Sequence, residues 1–143
     1  MSGPAAFDHF AIKVADEWID YNGHLTDYAY AIILAAANEE FLLSLGLSEG
    51  YRERTGRTMF TAECHIQYRA EVGRELVRAT SHLVELRGKG IRVQTTLMRE
   101  DGVEAAFGEH VYVHVDGATG RPCEFDEATR TLLVATLSVV DDS

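Results

Sequence analysis

Apolar and polar residues alternate in five segments of the chain, a pattern that predicts five β-strands. The first spans His9–Asp16 and places Phe10, Ile12 and Val14 on one side. The other four lie at residues 59–71, 75–87, 90–100 and 103–116. Asp101-Gly102 separates the last two, and an Asp-Gly pair between alternating segments is a strong signal for a hairpin turn. We therefore expect the last four strands to form an antiparallel meander.

Alternation is clearest in the second of these segments. One side carries Phe60, Ala62, Cys64, Ile66 and Tyr68, and the other carries Thr61, Glu63, His65, Gln67 and Arg69. Successive side chains of a strand point to opposite faces, so we expect one apolar face and one polar face along the whole strand.

Between the first two strands lies the most apolar segment of the chain, TDYAYAIILAAANEEFLLSLGL. Thr26 suits the N-cap of a helix, Asp27 suits the positive end of the helix dipole, and Gly46 is placed to terminate the helix. The first half is apolar on every side, which is typical of a helix surrounded by protein. Glu39 and Glu40 mark the point where we expect this helix to reach solvent.

Two further helices are expected, a short one at residues 48–56 and a C-terminal one at residues 125–137 that Asp126 caps. A single sheet wrapped around one apolar helix buries the apolar faces of these elements. The fold class is therefore α+β, with a five-stranded antiparallel sheet around a long central helix. The length of 143 residues suits one domain that covers residues 1–143.

The net charge and the cysteine content limit the partners and the cellular compartment that we expect. A formal net charge of −10 without any basic run argues against a nucleic-acid partner, and an anionic ligand needs a local patch of Arg and Lys. Cys64 and Cys123 are far apart and lack zinc-ligand spacing, so we expect two reduced thiols, as in a cytoplasmic protein. The N-terminal residues lack the pattern of a secretory signal, and the apolar run at residues 28–37 is too short to cross a membrane.

Metal binding is also not expected. His110, Tyr112 and His114 share one face of the last strand, but two histidines without a third ligand at a recognisable spacing are weak evidence for a metal site.

The polar segment EWIDYNGHL lies between the first strand and the central helix. Its residues Asp20-Tyr21-Asn22-Gly23-His24-Leu25, with Tyr30 on the helix and the order of elements, resemble the 4-hydroxybenzoyl-CoA thioesterase-like family. The resemblance covers essentially the whole chain and implies the hot-dog fold. The string from Trp18 to His24 is most similar to the branch associated with carnitine breakdown, whose proposed substrate is betainyl-CoA. Two positions depart from the family pattern, Trp18 where an Asp is frequent and Thr26 where an Asn is common.

This resemblance implies hydrolysis of a small acyl-CoA thioester to the free acid and CoA, with no cofactor beyond the CoA of the substrate. Asp20 is then either the nucleophile or the general base for a water. Backbone N–H groups at Asp27 and Tyr28 hold the oxyanion, because the first amides of a helix have no intrahelical acceptor. Gly23 allows a tight turn and close approach of the substrate to the backbone.

Other residues of the segment have open roles. On residue types alone, Asp20 is more often a turn former, with Asn22-Gly23 completing the turn. Asn22 and His24 either orient Asp20 or the thioester, or they satisfy the loop backbone. If the acyl group carries a quaternary ammonium, Trp18, Tyr21, Tyr28 and Tyr30 are close enough in sequence to form a cation–π box, although a core uses the same residues.

Three residues elsewhere are candidates for substrate binding. Glu63 either lines the pocket or positions the water, or it is a polar residue of the surface or of a subunit interface. Arg87 and Lys89, together with Arg92, form a basic hairpin whose glycines allow the phosphates of CoA to approach, and a solvated turn is the alternative.

Three functions remain open on the sequence: an acyl-CoA thioesterase, a hot-dog enoyl-CoA hydratase or dehydratase, and a non-catalytic acyl-CoA-binding domain. An Asp three residues before a Gly favours hydrolysis. A single hot-dog sheet leaves one edge unpaired and half of a substrate tunnel, so we expect a homodimer, and a homotetramer is compatible with the same reasoning.

Overall fold

The computed structural model describes residues 6–137. Its strands are β1 (Phe7–Lys13), β2 (Arg57–Tyr68), β3 (Leu76–Arg87), β4 (Gly90–Met98) and β5 (Glu104–Asp116). Its helices are α1 (Asp27–Ser44), α2 (Glu49–Thr55) and α3 (Glu127–Thr136), and a short 3-10 helix, Asp16–Trp18, follows β1. Every strand and helix expected from the sequence is present. Residues 1–5, which belong to the segment assessed for a secretory signal, lie outside the described residues.

The five strands form one antiparallel sheet in the order β1-β3-β4-β5-β2. The α+β class is confirmed, and β3, β4 and β5 form a meander as expected. The meander prediction is wrong for β2, which pairs with β5 at the far edge because β3 is already paired on both sides by β1 and β4. Residues 69–75, here called the crossover segment, therefore carry the chain across the sheet and past the start of α1. There the Leu25 N–H donates to the Val72 carbonyl at 2.7 Å.

A β-bulge at Ala62 interrupts the alternation along β2. Thr61 and Glu63 pair with the adjacent β5 residues 112 and 111, so Ala62 has no opposite residue. A bulge adds one residue and reverses the face to which later side chains point. Phe60 therefore lies on the face opposite Cys64, contrary to the expected pattern, and half of Phe60 is exposed.

One side of α1 packs against the sheet, and the other side is open. Ile33, Leu34 and Ala37 are fully buried. On the opposite side Ile32 and Ala35 are exposed although they are apolar. The expectation of a helix enclosed on every side is therefore met on one side only within a single chain.

Local sequence signals at the helix ends behave largely as expected. Gly46 follows the end of α1 with φ +73°, the left-handed conformation that glycine adopts without strain. Asp126 caps α3, since its Oδ1 accepts the Thr129 N–H at 2.8 Å. Thr26 occupies the N-cap position of α1, but its side chain makes no capping hydrogen bond.

Cys64 and Cys123 are free thiols, as expected. Among residues 6–137 no single helix is long and apolar enough to cross a membrane, and α1 with α2 reaches that length and composition only as a pair bent by 49°.

Two glycines provide a test of backbone packing. At Gly90, the first residue of β4, an added Cβ lies 2.6 Å from the Tyr112 carbonyl oxygen, whereas at Gly50, inside α2, it meets nothing within 4 Å. We expect Gly90→Ala to lower the free energy of unfolding by about 1–3 kcal/mol. Gly50→Ala should raise it by about 0.5–1 kcal/mol. Urea denaturation measures both changes, and an unchanged or more stable Gly90→Ala contradicts the steric conflict.

Candidate active site

Backbone hydrogen bonds close the loop that precedes α1. The Thr26 N–H donates to the Trp18 carbonyl at 2.9 Å, and the Asp20 N–H donates to the His24 carbonyl at 2.9 Å. Because α1 begins at Asp27, directly after this loop, these bonds hold Asp20 close to the start of the helix.

Asp20 organises the tight turn at the tip of the loop. Its Oδ1 accepts the N–H groups of Asn22 at 2.8 Å and of His24 at 3.2 Å. Gly23, with φ +81°, supplies the left-handed conformation that the turn requires. Asp20 is therefore a turn former, one of the two roles that the sequence left open. Within residues 6–137 its other carboxylate oxygen, Oδ2, has no hydrogen-bond donor, and the residue is half-buried.

The first turn of α1 leaves one backbone amide bare. The Asp27 N–H has no acceptor in the part of the chain that the structure describes. The Tyr28 N–H is bound by Asp27 Oδ1 at 2.8 Å, and the Ala29 N–H donates to the Thr26 carbonyl at 3.0 Å. The helix dipole makes this end of α1 partly positive, so the Asp27 amide is suited to an anionic oxygen.

A pocket opens beside this turn, lined by Leu25, Asp27, Tyr30 and residues 68–71, and is here called the α1 pocket. The rings of Tyr30 and Tyr68 meet edge to face, with centroids 5.0 Å apart and planes at 89°. The Tyr30 hydroxyl donates to the Ala70 carbonyl at 2.9 Å. Burial, and next the nearby Glu71 carboxylate, raise the pKa of Tyr30, so its phenol is neutral near pH 7.

The crossover segment connects the Asp20 turn to the α1 pocket. Glu71 Oε2 lies 3.4 Å from His24 Nε2, and both side chains are partly exposed. Sequence reasoning missed Tyr68 and Glu71 as site residues because only the crossover, a long-range feature, brings them to the start of α1. The one available signal was the position of Tyr68 at the end of an alternating strand.

The four aromatic residues that lie close enough in sequence for a cation–π box make no ring contacts with one another within residues 6–137. Trp18 packs against the core beside α1, and Tyr30 lines the α1 pocket. Tyr21 is 97% exposed, and Tyr28 is also mostly exposed. The ring partner of Tyr30 is instead Tyr68.

The remaining substrate-binding candidates lie together in a second groove, lined by Glu63, Arg87 and Lys89 with Glu85 and Arg92. This outer groove lies on the face of the sheet opposite α1. Glu85 accepts hydrogen bonds from Arg92 at 2.9 Å and Arg87 at 3.0 Å, and these bonds lower the pKa of Glu85. Lys89 has no ion-pair partner in the described chain, so it is the cation most available to a phosphate.

The α1 pocket and the outer groove are far apart in one chain. The crossover segment borders the pocket and leads into β3, which runs from Leu76 to Arg87 at the outer groove. At about 3.3 Å per residue, the two ends of this strand are about 36 Å apart. A single chain therefore does not bring Asp20 together with Arg87 and Lys89.

The histidines weighed as metal ligands are buried on the α1 side of the sheet. His110 Nε2 lies 3.3 Å from Cys64 Sγ, and His114 Nε2 lies 2.7 Å from the Tyr51 hydroxyl oxygen. Burial lowers the pKa of both histidines and raises the pKa of Tyr112 to about 12. Within residues 6–137, no group of three or more His, Cys, Asp or Glu side chains is arranged to hold a metal ion.

Residues 14–133 match the sequence profile of the thioesterase-like superfamily. The chain belongs to this superfamily. A hypothetical protein from Staphylococcus aureus, solved in complex with CoA, superimposes with a TM-score of 0.89 at 28% identity over 99% of this chain and 91% of that one. The resemblance to hot-dog thioesterases and the hot-dog fold are thus confirmed.

Two curated relatives of this thioesterase-like protein have names that specify a substrate. The betainyl-CoA thioesterase of Pseudomonas aeruginosa is 30% identical over 130 residues, which cover 88% of this chain and 82% of that protein. The L-carnitine dehydrogenase/betainyl-CoA thioesterase of Agrobacterium fabrum is 38% identical over 106 residues, 73% of this chain. The matched region is 22% of the Agrobacterium protein, so this chain corresponds to only part of that longer relative.

Proposed function

We propose that this chain hydrolyses a small acyl-CoA thioester to the free acid and CoA at the start of α1. Asp20 acts as the nucleophile or the general base, and the Asp27 N–H receives the oxyanion. The observation that carries the proposal is that, within residues 6–137, the Asp27 amide has no acceptor and Asp20, in the loop leading to it, keeps one carboxylate oxygen without a donor. Membership of the thioesterase-like superfamily supports the same reaction.

Two routes fit this arrangement. In the first, Asp20 takes a proton from water, the water oxygen attacks the carbonyl, the C–S bond breaks, and the CoA thiolate recovers the proton. In the second, Asp20 attacks the carbonyl itself and expels the CoA thiolate, and water then hydrolyses the mixed anhydride. In both, negative charge develops on the carbonyl oxygen beside the Asp27 N–H, and one such preorganised donor typically contributes about 3 kcal/mol to lowering the barrier.

The surrounding residues position these groups. The backbone N–H groups of Asn22 and His24 fix Asp20 Oδ1, which leaves Oδ2 for the reaction, and Gly23 allows the turn that makes this possible. Trp18 anchors the loop on the core. The Tyr28 N–H joins the oxyanion site only when Asp27 Oδ1 releases it.

A thiol-release assay over a panel of acyl-CoA esters tests the reaction. We propose that betainyl-CoA, the substrate in the names of the two relatives, is among the esters cleaved, without a cofactor and in the cytoplasm. Water addition to an enoyl-CoA without thiol release indicates a hydratase instead. Tight binding of acyl-CoA without turnover indicates a non-catalytic binding domain.

We further propose that two chains associate to complete the site. β2 is an edge strand with one side unpaired in the described chain, and the exposed side of α1 carries Ile32 and Ala35. When two chains pair through these edges, the outer groove of one chain can hold the CoA of a substrate whose thioester lies at the Asp20 turn of the other. Sedimentation equilibrium tests this: the dimer has twice the chain mass of 15.9 kDa, a tetramer has four times that mass, and a monomer contradicts the proposal.

If the outer groove holds the phosphates of CoA, Lys89→Ala should raise KM for acyl-CoA about 3–5-fold and leave kcat unchanged, as expected for one partly exposed ion pair. The matching acyl-pantetheine ester, which lacks the nucleotide phosphates, should show no change in KM. Lys13→Ala, which removes an exposed lysine on β1, is the matched control. An equal change for both esters, or none for the CoA ester, contradicts a phosphate contact at Lys89.

A further inference from the structure

The α1 pocket carries unbalanced negative charge. Asp27 and Glu71 line it, and Asp20 lies in the adjacent turn. Arg69 also lines the pocket, but its guanidinium is paired with Glu104. The charge of this arginine is therefore already neutralised.

Two other basic groups lie near the pocket. His24 Nε2 lies 3.4 Å from Glu71 Oε2. Arg99 donates to the Glu71 carbonyl oxygen at 3.2 Å, and its guanidinium is paired with Asp101. The pocket with its adjacent turn therefore keeps a net negative charge even when His24 is protonated.

The same pocket presents two aromatic rings. Tyr30 and Tyr68 meet at 5.0 Å, and Tyr68 is 54% exposed, so part of its ring is open to a ligand. Aromatic faces attract cations, and aromatic cages recognise quaternary ammonium groups in particular. A carboxylate beside the rings supplies the opposite charge without requiring a hydrogen-bond donor from the ligand.

The α1 pocket is also close enough to the proposed position of the thioester carbonyl to hold the end of a short acyl group. The Tyr68 hydroxyl lies 3.5 Å from the carbonyl oxygen of Asp27, the residue whose N–H is the proposed oxyanion donor. One methylene separates carbonyl and nitrogen in a trimethylammonioacetyl ester, so at about 1.5 Å per bond the nitrogen is within about 3 Å of the carbonyl carbon. Glu39, another exposed acid of α1, is about 18 Å further along the helix and is out of reach.

We propose that the α1 pocket selects short acyl groups that carry a quaternary ammonium, with Tyr68 providing the ring face and Glu71 the counter-charge. The proposal rests on thioester hydrolysis at Asp20 and assigns the residues that determine acyl specificity at that site.

The test compares betainyl-CoA with its neutral isostere 3,3-dimethylbutanoyl-CoA, in which carbon replaces nitrogen. The ratio of the two kcat/KM values is divided by the ratio of the uncatalysed hydrolysis rates, which removes the difference in chemical reactivity. We expect this corrected preference to be at least about tenfold in the wild type. Tyr68→Leu and Glu71→Gln should each lower the corrected preference about 3–10-fold, because kcat/KM falls for betainyl-CoA and not for the neutral ester. Tyr68→Phe should keep the preference, because the aromatic ring remains.

Two matched controls and a binding measurement complete the experiment. Phe60→Leu on the same strand and Glu53→Gln on α2 change exposed residues away from the pocket and should leave the preference unchanged. A corrected preference near one, or equal losses on both esters in Tyr68→Leu and Glu71→Gln, overturns the proposal. Failure of hydrolysis is a separate result. If neither ester releases CoA, calorimetric titration compares the binding of betaine with that of 3,3-dimethylbutanoate and so tests the charge selection alone. Equal binding, or none, then overturns the charge selection.

Discussion

Asp20→Asn is expected to lower kcat for acyl-CoA hydrolysis about 1000-fold while the protein stays folded, because an amide is neither a base nor a nucleophile here. Asparagine keeps the Oδ1 that accepts the Asn22 and His24 N–H groups, so the turn is retained. Asp20→Ala should lose the same activity and also loosen the turn. Thiol release under saturating substrate measures kcat, and circular dichroism confirms the fold.

The control for this substitution is Asp16→Asn, in the same loop region, where the carboxylate is exposed and paired with Arg74. Its kcat should stay within about twofold of the wild type, as for a surface substitution. An Asp20→Asn variant that keeps a tenth or more of the wild-type kcat contradicts the proposed chemistry. Single turnover in heavy-oxygen water separates the two routes, since label in the Asp20 carboxylate requires the anhydride.

Leu34→Ala should cost about 3–5 kcal/mol of the free energy of unfolding, the largest stability effect expected of one substitution in α1. Leu34 is fully buried, and its Cδ1 lies 3.0 Å from the position that a Cβ on Gly108 would take, so helix and β5 are in close contact there. Removing the side chain leaves a cavity that these packed backbones cannot close. Urea denaturation with an unchanged slope gives the value.

Leu43→Ala is the matched control for Leu34→Ala, because it changes the same residue type on the same helix at a position that is 57% exposed. Its cost should stay below about 1 kcal/mol. Similar losses at both positions contradict the one-sided packing of α1, and a large loss at Leu43 alone points to burial of that face between chains.

The sequence was sufficient to predict the elements but not all of their pairing. Alternation and the apolar central segment predicted five strands and α1, because these are local patterns. The position of β2 beside β5 depends on which strands are already paired, a long-range property that alternation does not contain. The bulge at Ala62 was missed for a similar reason, since one inserted residue leaves no local signature in a run of mixed side chains.

The candidate site also contains residues that local sequence predicts and residues that only the long-range fold brings in. The turn at Asp20 and the helix start at Asp27 are adjacent in sequence, and the hydrogen bond from the Thr26 N–H to the Trp18 carbonyl closes the loop between them. The role of Lys89 in binding the CoA phosphates stays a prediction, and its distance from Asp20 within one chain depends on the length of β3, which the local sequence pattern does not give. Tyr68 and Glu71 were missed because they reach the site only through the crossover segment.

The crossover segment limits how the proposed acyl pocket can change. Residues 69–75 are needed to route the polypeptide from β2 to β3, and they also supply Ala70 and Glu71 to the pocket wall. Under the proposed function, substitutions there would change the acyl preference and leave the Asp20 turn in place. The length of the segment is less free to change, because a change that breaks the Leu25–Val72 hydrogen bond also shifts the start of α1. Under the same proposal, variants with new acyl preferences should differ in the side chains of this segment and keep its length.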